Sequence, residues 1–347
     1  MIIIPLKCCI LCRLLLILRV MIFDVTRHKF SEALLTLLFF AAAITSGAVW
    51  IYPLSDVEVG SISAPLAHYI AELQMVNPLI SAVSLGLLFM YMIVRLSRTT
   101  VRVSLYPATS LAAFSVTSVL LFGALTSANY GILAMCALFV AESFSRLMYC
   151  FSPSLLPHYL FSAMMALGAL PLFDSAFVPL AIVVPLFVII SRATLRESVL
   201  VLLGITLPTF IYCYVVWLFG GNFVDSFMAV WGNDLLLSRT EMSTYLTPLR
   251  LVYLGVVLFL QLFTSVLYVA TPLTLSNAAR DVWRVMQLAV LVLLASLLLL
   301  PAASPAIVVA LALLTGVMLP LLLQHTSMFI SILLYMLLFA VSFLQLF

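Results

Sequence analysis

Charge is what this sequence has least of. Lys, Arg, Asp and Glu together make up 8% of its 347 residues, where about a quarter is usual for a soluble domain. So few charges cannot cover a water-facing surface, and a soluble globular fold is excluded. Long basic runs are also missing, and a net charge of +3 gives no electrostatic footprint for nucleic acid. There is no phosphate-cradling G-x-x-x-x-G-K-[ST], no H-E-x-x-H, no G-x-S-x-G and no dinucleotide fingerprint. Their absence argues against ATP hydrolysis, zinc proteolysis and serine hydrolysis, and no cofactor is expected. Histidine is sparse: His28, His68, His158 and His325 lie far apart, so no metal site is expected among them. Six cysteines are present, with Cys8, Cys9 and Cys12 clustered and Cys136, Cys150 and Cys213 scattered. Neither a disulfide framework nor a paired C-x-x-C metal site emerges from that spacing.

Apolar residues are what the chain does have, at 66%. With lipid as the solvent for most side chains, every backbone N–H and C=O must be satisfied within the protein, which leaves helices or a closed barrel. Barrel strands alternate apolar and polar over about ten residues, whereas these apolar stretches run for about twenty. The expected fold is therefore all-α, a polytopic transmembrane helical bundle of roughly eleven spans. They fall near 33–53, 78–96, 105–125, 129–147, 156–173, 176–191, 197–219, 248–270, 284–300, 303–322 and 327–346. Residues 1–20 interrupt their apolar character with Lys7, Arg13 and Arg19. They read either as an extension upstream of a true start at Met21 or as an interfacial helix. Residues 21–347 form a single integral membrane domain.

Positive charge orients these spans. With the N-terminus cytoplasmic, Arg27, Lys29, Arg95, Arg98, Arg102, Arg146, Arg192, Arg196, Arg280 and Arg284 all fall on the cytoplasmic side, and only Arg239 and Arg250 fall outside. The external face collects Asp56, Glu58, Glu72, Asp174, Asp225, Asp234 and Glu241. An odd number of spans puts the C-terminus outside. Within the spans, Glu142 and Arg146 are spaced for an i, i+4 ion pair near a cytoplasmic end. Gln261, Gln287 and Gln324 suit interhelical hydrogen bonds, and Ala43 with Gly47 suits a close helix contact.

Two long loops, 54–77 and 220–247, are external and hold most of the polar material. In the first, Ile62, Leu66, Tyr69, Ile70 and Leu73 recur at helical spacing. In the second, Phe223, Phe227 and Trp231 do the same, with Asp225 and Asp234 off the stripe. Both are expected to be interfacial helices lying flat on the outer surface with aromatic rings at headgroup level. Asp56 and Glu58 are the candidate catalytic carboxylates, able to act as general base on an acceptor hydroxyl. Arg239 and Arg250, with Asp234 and Trp231, are the candidate substrate-binding residues, an arginine fork being suited to the phosphate of a lipid-linked donor. In layout this resembles the membrane glycosyltransferases of the C-type fold, whose first external loop carries a catalytic acid and interfacial helices.

A second resemblance covers the middle of the chain, from Gly131 through Phe173-Asp174-Ser175-Ala176 and Arg192-Ala193-Thr194-Leu195-Arg196-Glu197 to Leu207-Pro208. This order is similar to that in a family of uncharacterised polytopic inner-membrane proteins of Bacteroidota. The resemblance implies a bacterial cytoplasmic (inner) membrane address and assigns no functional residues. The expected function is envelope biogenesis at the outer face on a lipid-linked, glycan-bearing substrate, with membrane lipids as partners. The alternatives are a transporter or flippase without its own energy module and a non-enzymatic scaffold.

Overall fold

The computed structural model describes residues 64–76, 78–103, 105, 112–124, 130–151, 157–192, 194–233, 246–270, 277–301 and 303–346. Among them every regular element is helical. In chain order these are α1 Ala67–Val76, α2 Pro78–Arg102, α3 Ala112–Ala124, α4 Tyr130–Cys150, α5 Pro157–Phe173, α6 Val178–Arg192 and α7 Leu195–Leu218. There follow α8 Phe223–Met228, α9 Pro248–Ala270, α10 Asn277–Leu299, α11 Pro305–Met318, α12 Pro320–His325 and α13 Met328–Phe343. A helix thus occupies each of the ten apolar segments expected after 33–53, which itself lies outside the described residues. Among the described residues, five helical stretches are long and apolar enough to cross a membrane: Tyr130–Cys150, Leu195–Leu218, Pro248–Val269, Ala278–Leu299 and Pro305–His325.

The boundaries follow local chemistry. Thr194 and Glu197 form a reciprocal capping box at the start of α7, with Glu197 Oε2 accepting from the Thr194 N–H at 2.7 Å. The polar residue of the Arg192-to-Glu197 run is therefore a helix cap. Pro305 occupies the first turn of α11, where its missing N–H costs nothing. Pro320 restarts the chain as α12 after a break at Leu319.

α11 is the axis of the bundle. It carries no charge, and all fourteen of its residues are buried, packed against α3, α4, α9 and α10. At the periphery, α7 and α9 leave large apolar side chains such as Phe210, Trp217, Phe259 and Phe263 exposed. Lipid tails are as apolar as Leu, so close packing between helices depends on small residues. Gly168 and Gly204 supply these between α5 and α7. A Cβ on Gly168 would stand 2.8 Å from the Ile205 carbonyl carbon, and one on Gly204 2.8 Å from Met164 Cβ. Gly316 does the same between α11 and α3, where a Cβ would lie 2.7 Å from Thr117 Cα.

The two ends of the bundle are pinned by specific contacts. At one end α1 docks through Gln74, whose Oε1 accepts from the Gly131 N–H opening α4 at 3.0 Å, while the Leu66 N–H donates to the Leu172 carbonyl at 3.0 Å. Asp174 lies at this end too. Read from the sequence as part of an acidic external face, it is instead buried at 3% exposure. Its Oδ1 accepts from the Ala176 N–H at 3.0 Å, capping the short 3₁₀ turn Ser175–Phe177, and Ser304 at the N-cap of α11 donates to its Oδ2. The turn between α5 and α6 is so tight that its one carboxylate is needed inside it as an acceptor. At the opposite end Arg102 lies over the Tyr149 ring, and Tyr149 stacks on Tyr159 at 5.4 Å.

Candidate functional site

Among the described residues, charged groups from two different helices meet between α2 and α4. These helices run parallel, so Tyr91 meets Glu142 and Arg95 meets both Glu142 and Ser145. Glu142 is the centre. Its Oε1 accepts from Tyr91 OH at 2.6 Å and lies 2.8 Å from Arg95 Nε, which also donates to Ser145 Oγ at 3.2 Å. Its Oε2 accepts from Arg146 Nε at 3.0 Å. The Glu142 side chain is 14% exposed and each arginine side chain 32%.

The cluster sits toward one end of both helices. Glu142 precedes the end of α4 by eight residues and Arg95 the end of α2 by seven, or roughly 10–12 Å at 1.5 Å per residue. Two arginines face one carboxylate, so the cluster carries an excess of one positive charge. Arg146 donates from Nε to Glu142, whereas the Arg95 Nε–H is directed at Ser145 Oγ and Arg95 meets Glu142 as an ion pair; no described residue accepts from the terminal nitrogens of either guanidinium. Arg95 Cζ is 5.8 Å from the Tyr91 ring centroid, and Tyr91 itself is exposed. The result is two guanidiniums beside one carboxylate, each arginine side chain 32% exposed. Guanidinium forks match the tetrahedral oxygens of a phosphate.

The i, i+4 pair of Glu142 and Arg146 is present as the spacing predicts. Sequence reasoning missed Tyr91 and Arg95, although the charge pattern had already put Arg95 and Arg146 at the same membrane face. It also missed Gln74.

The residues chosen from the sequence are described only in part. Asp56, Glu58, Asp234 and Arg239 lie outside the described residues. Arg250 is partly exposed in the first turn of α9, its backbone N–H donating to Thr247 Oγ1 at 3.4 Å. Trp231 is partly buried and donates from Nε1 to Thr209 Oγ1 at 3.1 Å. The Phe223 ring meets Phe210 edge-on at 5.7 Å, whereas Phe227 is exposed. The stripe expected on one face is thus split. Gly220, at φ +88°, turns the chain, and the segment folds back along α7. The α-helix then gives way to a π-helical turn at Ala229–Asn233, which shifts the phase on which the i, i+4, i+8 spacing depends.

In the first expected interfacial helix, α1 seats Ala67, Ala71 and Gln74 against the bundle and leaves Tyr69 and Leu73 of the apolar stripe exposed. Cys136, Cys150 and Cys213 are free and buried. Among the described residues, no three metal-ligating side chains come together. No family model, curated protein or solved structure matches the chain.

Proposed function

We propose that this chain is a bacterial cytoplasmic-membrane protein of about eleven spans, N-terminus inside and C-terminus outside, that recognises a phosphate-bearing lipid-linked substrate in envelope biogenesis. The observation that carries this reading is the pair of partly exposed guanidiniums beside Glu142, whose terminal nitrogens have no acceptor among the described residues. Arg95 and Arg146 bind the phosphate. Glu142 is a positioning residue that holds them, and Tyr91 fixes Glu142. Substrate enters from the lipid side, where Tyr91 is exposed, so the prenyl or acyl chain never leaves the bilayer. At the opposite face, transfer from a separate lipid-linked donor is proposed, with Asp56 and Glu58 as general base and Arg239, Arg250, Asp234 and Trp231 as its binding groups. That part rests on sequence layout.

Binding of a polyprenyl phosphate and of the matching polyprenol to the purified full chain, compared by native mass spectrometry, tests the proposal. The phosphate form is expected to bind preferentially, and R95Q/R146Q to lose that preference by about 10- to 100-fold, the equivalent of one or two charge-assisted contacts. E142A is expected to weaken binding even though it raises the local positive charge. Equal binding of phosphate and alcohol, or tighter binding by E142A, would overturn the proposal.

A further inference from the structure

A second polar constellation runs along the seam between α9 and α10 and has no role in the site above. It has three rungs. Nearest the 271–276 connection, Tyr268 stacks on Trp283 at 5.3 Å and donates from OH to the Arg280 carbonyl at 3.1 Å. One turn further in, Ser265 Oγ lies 2.9 Å from Gln287 Oε1 and 2.8 Å from the Gln261 carbonyl, and its single proton serves one of the two at a time. The innermost rung is Gln261, whose Nε2 lies 3.3 Å from Met318 Sδ on the central helix α11. Gln287 is ten residues into α10, roughly 15 Å from its start. The seam therefore reaches the middle of the bundle.

Each rung leaves a polar atom unmatched. Trp283 Nε1, Gln287 Nε2 and Gln261 Oε1 are fully buried and have no hydrogen-bond partner among the described residues. Three hydroxyls share that condition elsewhere, Ser143, Thr315 and Ser342, but the indole and both carboxamides fall on this one seam. Exchanging the oxygen and nitrogen of either amide does not help, because each amide has a single side-chain neighbour and so always keeps one end unpaired. Trp283 has no such freedom. Buried groups of this strength are as a rule satisfied by protein or by ordered water.

We infer that the α9–α10 seam is a binding site for water, a file of ordered molecules that joins Trp283, Gln287 and Gln261 and leads from the 271–276 end to mid-bundle. The donors and acceptors are all neutral, which suits water or a hydroxyl-bearing solute.

Met318 is the built-in reporter. X-ray radiolytic footprinting of the full chain in nanodiscs activates bound water and oxidises the side chains beside it. Met318, Met92 and Met164 are all 0% exposed, so reactivity and burial are matched. The expected result is oxidation of Met318 several-fold faster than Met92 and Met164, falling to their rate in Q261L/Q287L. Equal rates for the three methionines in the wild-type chain would overturn the inference without recourse to any variant. A Met318 rate that Q261L/Q287L leaves unchanged would overturn it as well.

Discussion

Replacing Gly168 with alanine adds one methyl group at the point where α5 and α7 come closest. That methyl carbon would sit 2.8 Å from both the carbonyl carbon and the Cα of Ile205, and nearer still to its oxygen. Ordinary carbon–carbon contact is about 3.5–4.0 Å, so the helices must part by about 1 Å. The neighbour is backbone and cannot rotate away. Overpacking of this kind costs about 1–3 kcal/mol, and the upper end applies because one helix must move as a whole. Alanine returns about 1 kcal/mol through its better helix propensity. The net expectation is a loss of about 1–2 kcal/mol. Gly204 makes a useful comparison, since its nearest neighbour is the Met164 side chain at 2.8 Å, with the Phe161 carbonyl oxygen at 2.9 Å. Neither atom can rotate away, a Cβ being fixed to its backbone, but the overlap is smaller than at Gly168, and G204A should cost less than G168A, within about 1 kcal/mol of wild type after the gain in helix propensity. Chemical unfolding of both variants in mixed micelles measures the difference. A G168A chain as stable as the wild type would refute the close contact, and with it the packing of α5 on α7.

Three further outcomes follow from single contacts. S304A removes the donor that ties the start of α11 to the buried carboxylate of Asp174, and should cost about 1–3 kcal/mol in the same unfolding assay. Y253F deletes a buried hydroxyl that donates to the Leu120 carbonyl at 2.6 Å. It should cost about 1 kcal/mol, because that carbonyl sits within α3 and the lost bond is neutral. R98C and D225C lie at exposed positions and report the proposed orientation. With Cys8, Cys9 and Cys12 replaced, an impermeant maleimide should label D225C in intact spheroplasts and R98C only after permeabilisation, and the opposite pattern would invert the topology.

Helices were legible because hydrophobicity fixes them. An unbroken apolar run has few other ways to satisfy its backbone in lipid, and each segment from 78–96 to 327–346 contains a helix. Side-chain partners across helices were not legible, because they depend on which helices lie together. Glu142 and Arg146 could be paired by spacing alone. Tyr91 and Arg95 join them only because α2 and α4 pack side by side in parallel, and local periodicity carries no such information. Asp174 was assigned to a surface from its place between two spans, but the tightness of that turn buries it. The Phe223–Trp231 stripe relied on regular α-helix through a stretch that turns π-helical. Gly168 and Gly204 gave no sequence signal as a pair, since they sit on different helices and match no G-x-x-x-G spacing.

The central claim is that Arg95 and Arg146 form one phosphate site with Glu142 as its brace. Its most direct test is a cryo-EM map of the full chain in nanodiscs containing a polyprenyl phosphate. The predicted map has phosphate oxygens within about 2.7–3.2 Å of the terminal nitrogens of both arginines, with Glu142 still beside both guanidiniums and the prenyl chain leaving past Tyr91. A map at saturating lipid with the phosphate bound elsewhere, or with no headgroup density between α2 and α4, would contradict it.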